Sequence, residues 1–265
     1  MIPGFKKYAL CKRASLFLER EKMMKIGILA TGITPDELLK QYGTYADMFV
    51  ELFAQVEQDF TYEVFDVRDG VFPGSPKQCE GWVITGSKFN VDENRDWMLK
   101  LKQLILEIDE TGRPLLGICF GHQIIAEAFG GKVEAYEGGW GVGLHSYRLI
   151  GNNSFISGNE DHFSISAMHR YQVTEKPEAA RVFAESDFCK YAGLQYGDNI
   201  LTFQAHPEFN LGYETDLVSL RKGSVIPDEV ADAGLEMLCA DAAATDSVKV
   251  AGWMSRFMSG NLVKN

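Results

Sequence analysis

The sequence predicts an α/β fold: a mainly parallel, doubly wound sheet with helices on both faces and an antiparallel extension. Three observations predict it. Strand-like and helix-like segments alternate from Met24 to Phe129, the succession that builds a parallel sheet. A glycine-flanked cysteine, Gly117-Ile118-Cys119-Phe120-Gly121, sits where a short buried strand passes into a helix. From Lys132 to His206 the segments shorten into strands alone, as an antiparallel extension requires.

Met24 to Leu29 is the first strand. Thr34-Pro35-Asp36-Glu37 reads as a capping box with Pro at the first helical position. Leu38, Tyr42, Tyr45, Phe49 and Leu52 follow at helical spacing, with Gly43 able to split the helix. Tyr62 to Val67 is a second strand, Val71 to Pro76 a Gly/Pro loop and Gly81 to Thr85 a third strand. Trp97, Leu101, Leu104, Ile105 and Ile108 share one face of a long helix, stopped by Gly112 and Pro114. Pro114 to Ile118 is the strand ahead of the cysteine, and His122 to Phe129 the helix after it, ended by Gly130-Gly131. Gly197-Asp198 turns between strands at Tyr191–Tyr196 and Asn199–Ala205. Pro227-Asp228-Glu229 and Thr245-Asp246-Ser247 each open a C-terminal helix, the latter with an apolar stripe of Val250, Ala251, Met254, Phe257 and Met258.

The pattern G-x-C-x-G is the cysteine counterpart of a nucleophile elbow, a sharp turn that only small neighbours permit. Such a turn presents the sulfur at a helix N-terminus, where a thiolate is favoured. A buried structural cysteine in a Gly-rich turn is the bland alternative. Far down the chain, a strand-like run leads into His206-Pro207-Glu208. Two residues apart on extended backbone, His206 and Glu208 point the same way, so the carboxylate can hold the imidazole in one tautomer. Pro207 marks the end or edge of the strand. No further cluster offers a metal-ligand spacing, and no cofactor is predicted.

Together, GICFGHQ and FQAHPEF resemble the class I glutamine amidotransferase family, and the resemblance runs from about Lys25 to about Phe209. It is nearest to stand-alone proteins related to the amidotransferase domain of GMP synthase. The resemblance implies a flavodoxin-like fold, with Cys119 as nucleophile, His206 as general base and acid, and Glu208 as its orienter. Gln123 matches the family glutamine that helps hold the substrate. The oxyanion amides are expected at Phe120, the residue after the nucleophile, and at Gly86, in the loop after the third strand. Family members often carry two glycines and a proline in that loop, whereas here it reads Thr85-Gly86-Ser87-Lys88-Phe89. Gly138 to Gly141 and Met168 to Tyr171 fall where the family places loops beside the glutamine pocket, which makes His169 a candidate substrate residue. His122 reads as structural. His145 and His162 carry no legible role.

Three functions remain open. One is a glutaminase that passes ammonia to a separate synthetase subunit, which the motifs place first. The second is a stand-alone γ-glutamyl peptidase acting on another γ-glutamyl small molecule. The third is a non-catalytic binding protein on the same fold, disfavoured by the intact Cys119, His206 and Glu208 set. No P-loop occurs that would use ATP to activate an acceptor.

Composition bounds these readings. At 265 residues and 46% hydrophobic, the chain can bury a large core, read as one domain from 24 to 265 that includes C-terminal helices over 213–265. A formal charge of -11 argues against nucleic acid as a partner. Five cysteines at irregular spacing and no long apolar run predict a cytoplasmic protein with no membrane contact. Residues 1–23 differ, with six basic residues against two acidic ones, a net +4. They lack the apolar core of a targeting peptide and read as a basic extension.

Overall fold

The computed structural model describes residues 23–56, 60–158 and 160–260; the basic extension, but for Met23, lies outside them. Strand β1 (Met24–Leu29) is followed by α1 (Asp36–Tyr42) and α2 (Tyr45–Phe53), which Gly43 separates, and then by β2 (Phe60–Phe65) and β3 (Gly81–Ile84). Helix α3 (Asp96–Glu110), β4 (Leu115–Ile118) and α4 (Phe120–Ala128) complete the N-terminal half. Strands β5 (Lys132–Ala135), β6 (Gly141–Leu149), β7 (His162–His169), β8 (Tyr171–Glu175), β9 (Ala180–Glu185), β10 (Gly193–Tyr196) and β11 (Ile200–Phe203) come next. Helices α5 (Leu211–Arg221), α6 (Asp228–Leu238) and α7 (Ser247–Ser259) follow.

The main sheet has nine strands in the order β2-β1-β3-β4-β11-β10-β9-β6-β7. From β2 to β11 neighbours run parallel, and from β11 to β7 they run antiparallel. A separate ribbon pairs β5 with β8. Strand β11 thus joins the two halves of the sheet, with β4 on one side and β10 on the other. It is this adjacency that brings the end of β11, and His206 beyond it, next to the end of β4 and Cys119.

Three apolar clusters hold the layers together. On one face, α2 and α7 cover Ile26, Ile28, Val83, Leu116 and Phe203, with Trp253 fully buried. On the other, α3 and α4 cover Leu29, Trp82, Ile84 and Leu115. The third cluster joins Leu38 of α1, Tyr45 of α2, Tyr213 and Leu217 of α5 and Ala231 of α6 with Phe209, and packs against Val142 and Met168. Burying one such side chain is worth about 1.5–3 kcal/mol, so the clusters supply the main cohesion.

Several local expectations change. Thr34 does not cap α1: Pro35 holds the N-cap position, without a side-chain hydrogen bond. The capping box lies at the next helix, where Thr44 accepts from the Asp47 N–H and Asp47 accepts from the Thr44 N–H. Strand β2 begins and ends two residues earlier than predicted, because Val67 turns into a short 3-10 segment. Helix α4 begins at Phe120 rather than His122, since the cysteine itself occupies the N-cap.

Candidate active site

Cys119 has φ 51° and ψ -100°, and among the described residues only Asn94 shares a positive φ without being glycine. That ψ lies well outside the left-handed well, so the backbone is strained at this residue. Its neighbours explain why glycine flanks it. A Cβ at Gly117 would sit 2.5 Å from Ile125 Cδ1, and one at Gly121 would sit 2.5 Å from the Ile84 carbonyl oxygen. The elbow is pinned to β11 by the Cys119 N–H, which donates to the Phe203 carbonyl at 2.8 Å.

His206 enters from the end of β11. Its N–H donates to the Ser166 carbonyl at 2.8 Å, and its ring stacks on Phe209 at 4.0 Å and 7°. The imidazole Nδ1 pairs with Glu208 Oε1 at 2.8 Å, and the ring is near enough to the Cys119 sulfur to feel its charge. Burial alone would lower its pKa, but the Glu208 carboxylate and the Cys119 sulfur outweigh burial and raise it to about 10. The His206 and Glu208 side chains are almost wholly buried. The predicted trio is therefore brought together, with the imidazole hydrogen-bonded to the carboxylate and beside the sulfur. Such a trio can deliver a thiolate to an acyl carbon and a proton to a leaving amine.

Gly86 packs against both partners: a Cβ there would lie 2.7 Å from His206 Cε1 and 3.7 Å from Cys119 Cβ. Its carbonyl accepts from the Thr31 hydroxyl at 3.1 Å, and Thr31 Oγ1 also donates to the Thr85 carbonyl at 2.8 Å. Ser87 Oγ in turn donates to the Thr31 carbonyl at 2.7 Å. This buried threonine network ties the ends of β1 and β3 and fixes the Gly86–Ser87 peptide. In a trans peptide the N–H lies opposite the carbonyl, so the amides of Gly86 and Ser87 both face away from Thr31. The Phe120 N–H belongs to the first turn of α4, where no intrahelical acceptor exists.

Gln123 lies beside the sulfur but is engaged by protein: its Nε2 donates to the Tyr171 carbonyl at 2.8 Å and to Gln204 Oε1 at 3.1 Å. Gln204 was not singled out from sequence, yet its Nε2 lies 3.7 Å from the Cys119 sulfur. Its place two residues before the histidine was the available signal. His169 is buried, contacts the Tyr171 carbonyl through Nδ1 at 3.2 Å, and burial pushes it down to about 3, so it is neutral. It therefore offers a lone pair at Nε2, which has no protein partner. His122 is fully buried under β11, with Nδ1 2.8 Å from Thr202 Oγ1, as a structural histidine should be.

A further carboxyl group was not anticipated. Glu214 on α5 is completely buried, accepts from the Gly143 N–H at 3.0 Å, and leaves Oε2 without a partner. Burial pushes its pKa up to about 8, so it is mainly protonated near neutrality and adds little negative charge behind the His206–Glu208 pair.

A cavity of about 430 Å³ opens over Cys119. Ser87, Gln123, Trp140, His169, Arg221 and Val225 are among the residues that line it. The two loops expected beside the pocket, at Trp140 and at Met168–Tyr171, are both in it. Among the described residues no group of three or more His, Cys, Asp or Glu could hold a metal ion, and no helix is long and apolar enough to cross a membrane.

The parallel strands, the elbow after β4 and the helices on both faces are those of the class I glutamine amidotransferases, and the chain is a member of that family. The family model "Glutamine amidotransferase class-I" matches residues 55–221. Gamma-glutamyl peptidase 2 of Arabidopsis thaliana is 36% identical over 187 residues, covering 67% of this chain and 73% of the relative. A glutamine-hydrolysing GMP synthase subunit of Methanosphaera stadtmanae is 35% identical over 113 residues, covering 40% of this chain and 56% of the relative. A glutamine amidotransferase crystal structure from Thermotoga maritima superposes with a TM-score of 0.64 at 20% identity, covering 88% of this chain and 98% of that one.

Proposed function

We propose that the protein is a cysteine-dependent γ-glutamyl hydrolase that cleaves the γ-amide of γ-glutamyl peptides or amines without a synthetase partner. The observation that carries this reading is the cavity of about 430 Å³, whose lining includes Arg221 and Val225 as well as Cys119 and Gln123; a volume in that range holds a ligand larger than glutamine alone. The similarity to a γ-glutamyl peptidase over two thirds of the chain supports it. The ranking therefore differs from the one the motifs alone suggested, which put release of ammonia for a synthetase first. That second reading keeps one support, the shorter similarity to a GMP synthase subunit.

In the proposed mechanism the Cys119 thiolate attacks the γ-carbonyl carbon while His206 is held as the imidazolium by Glu208. The N–H groups of Phe120 and of the Gly86–Ser87 turn receive the oxyanion; Thr31 binds the Thr85 and Gly86 carbonyls, which leaves the N–H groups of both Gly86 and Ser87 facing away from it. His206 gives its proton to the leaving nitrogen as the C–N bond breaks, leaving a γ-glutamyl thioester. Water, deprotonated by His206, attacks that carbon, the C–S bond breaks and glutamate leaves. Gln204 steadies the sulfur, and Gln123 and neutral His169 face the glutamyl half. The described cysteines are all free thiols, which fits a reducing compartment and a cytoplasmic location.

The test is to offer the purified protein glutamine, γ-glutamyl amines and γ-glutamyl dipeptides, with ammonia and free amine measured separately. Partner-free release of amine or peptide, abolished in Cys119→Ala and unaffected in Cys239→Ala, is expected. Turnover confined to glutamine would return the synthetase-partner reading to first place.

A further inference from the structure

The cavity over Cys119 has a marked charge. Lys88, Arg170 and Arg221 line it and no acidic side chain does, in a chain whose formal charge is -11. Cations gathered in a cleft of an acidic protein focus the field on an anionic ligand. Among them Arg221 has the most built environment. It is half-buried, whereas Lys88 and Arg170 are exposed. Its backbone is held rigidly, because the Arg221 carbonyl accepts from the N–H groups of Val225 at 3.0 Å and Ile226 at 3.1 Å. The next residue, Lys222, is paired with Asp232. Arg221 itself has no ion pair or side-chain hydrogen bond among the described residues.

Its position also says which half of a substrate it faces. Helix α5 starts just after Glu208, and Tyr213, Leu217 and Arg221 follow Phe209 at steps of four, which places them on one helix face. At the inner end of that stripe Phe209 stacks on His206 and packs on Tyr213 at 4.6 Å. At the outer end Arg221 is near enough to the Tyr45 and Tyr213 hydroxyls to act on both electrostatically. The stripe thus extends outward from the imidazole that protonates the departing nitrogen. Gln123 and His169 are fastened instead to the Tyr171 carbonyl, at the start of β8.

We infer that Arg221 is the anchor for a carboxylate on the leaving half of the substrate. The protein would then prefer γ-glutamyl amino acids or peptides with a free C-terminus over γ-glutamyl compounds of uncharged amines. This rests on the hydrolase reading above and narrows it. A guanidinium free of other partners makes a charge-assisted, often bidentate, contact with a carboxylate, and the fixed backbone at its base removes part of the ordering cost on binding.

The experiment measures binding, so that it does not depend on turnover. Calorimetry on the Cys119→Ala protein compares γ-glutamylglycine with its isostere γ-glutamylglycinamide, and γ-glutamylalanylglycine with its C-terminal amide. The free acid of at least one pair should bind about 10- to 100-fold tighter, the range of a hydrogen bond to a charged group. Added Arg221→Gln should bring that ratio close to one, and Arg221→Lys should restore part of it. Circular dichroism checks that each variant is folded. Equal affinities for acid and amide, binding of neither, or a preference that survives Arg221→Gln would overturn the assignment. A preference for the acid together with no hydrolysis by the unmodified protein would leave the anchor standing and sink the hydrolase reading alone.

Discussion

At Cys119 strain, hydrogen bonding and charge meet in one residue, and its behaviour depends on groups that no motif names. The imidazole of His206 is pushed up by the Glu208 carboxylate and the sulfur in spite of burial. A histidine raised in the folded state contributes stability that is complete below its ordinary value near 6.5 and is lost as pH rises through about 10. The imidazolium should therefore persist through neutrality. His206→Ala should cost roughly 10²–10⁴-fold in turnover, the worth of a general acid–base group. Glu208→Ala should cost less and should move the alkaline limb of the pH–activity profile downward, since the main group that raises His206 is gone. An alkaline limb that stays in place in Glu208→Ala would show that the carboxylate does not set the imidazole charge. The sequence displayed Cys119, His206 and Glu208 because each sits in a short local pattern. It hid the places of Gln204 and Glu214 because these arise from contacts between distant segments, Gln204 with Cys119 and Glu214 with Gly143, which leave no local signature.

At the scale of elements, most helices and strands were legible, and the exceptions have local causes. The apolar faces of α3 and α7 repeat at helical spacing, with Met98 buried where Trp97 was expected and Trp253 added to the α7 stripe. Helix α5 was not resolved as a separate element, because its buried face mixes Tyr213 and Leu217 with the carboxyl of Glu214. Asn210, which caps α5 by accepting from the Tyr213 N–H at 2.8 Å, was the available cue. The elbow shows the opposite case, in which tertiary contact enforces what the motif displays. Gly121→Ala would drive a methyl into the Ile84 carbonyl of the neighbouring strand, a backbone atom that cannot rotate aside. Overpacking of this kind typically costs about 1–3 kcal/mol, and here the shift also moves Cys119 against His206. A drop in melting temperature with a larger drop in activity is expected. Wild-type melting and activity in Gly121→Ala would mean that the close approach of β3 and α4 is not required.

For the whole molecule, the question is whether the segment after the family match belongs to the same folding unit. The match ends at Arg221, yet α6 and α7 are not peripheral. Helix α7 buries Val250, Trp253, Met254 and Phe257 in the cluster that covers one entire face of the sheet. Trp253 packs edge-on to Phe163 at 5.4 Å, and Arg256 Nε donates to the Phe155 carbonyl at 3.0 Å. The Asp246 N–H donates to the Ser164 carbonyl at 2.7 Å, and Asp246 Oδ2 accepts from the Ser164 N–H at 2.8 Å. Residues 24 to 260 should therefore unfold as one unit, because removal of α7 would expose the inner halves of β1, β3 and β4 to water. A chain ended before Asp246 should aggregate or lose its cooperative transition. The milder Trp253→Ala should lose about 3–5 kcal/mol, the usual cost of truncating a buried aromatic, and should still melt in one step. Denaturant titration by two probes, tryptophan fluorescence and far-ultraviolet circular dichroism, separates the outcomes. Coincident curves at reduced stability are expected for Trp253→Ala, and a shortened chain that melts cooperatively at the wild-type midpoint would show that α7 is an appendage to a smaller domain.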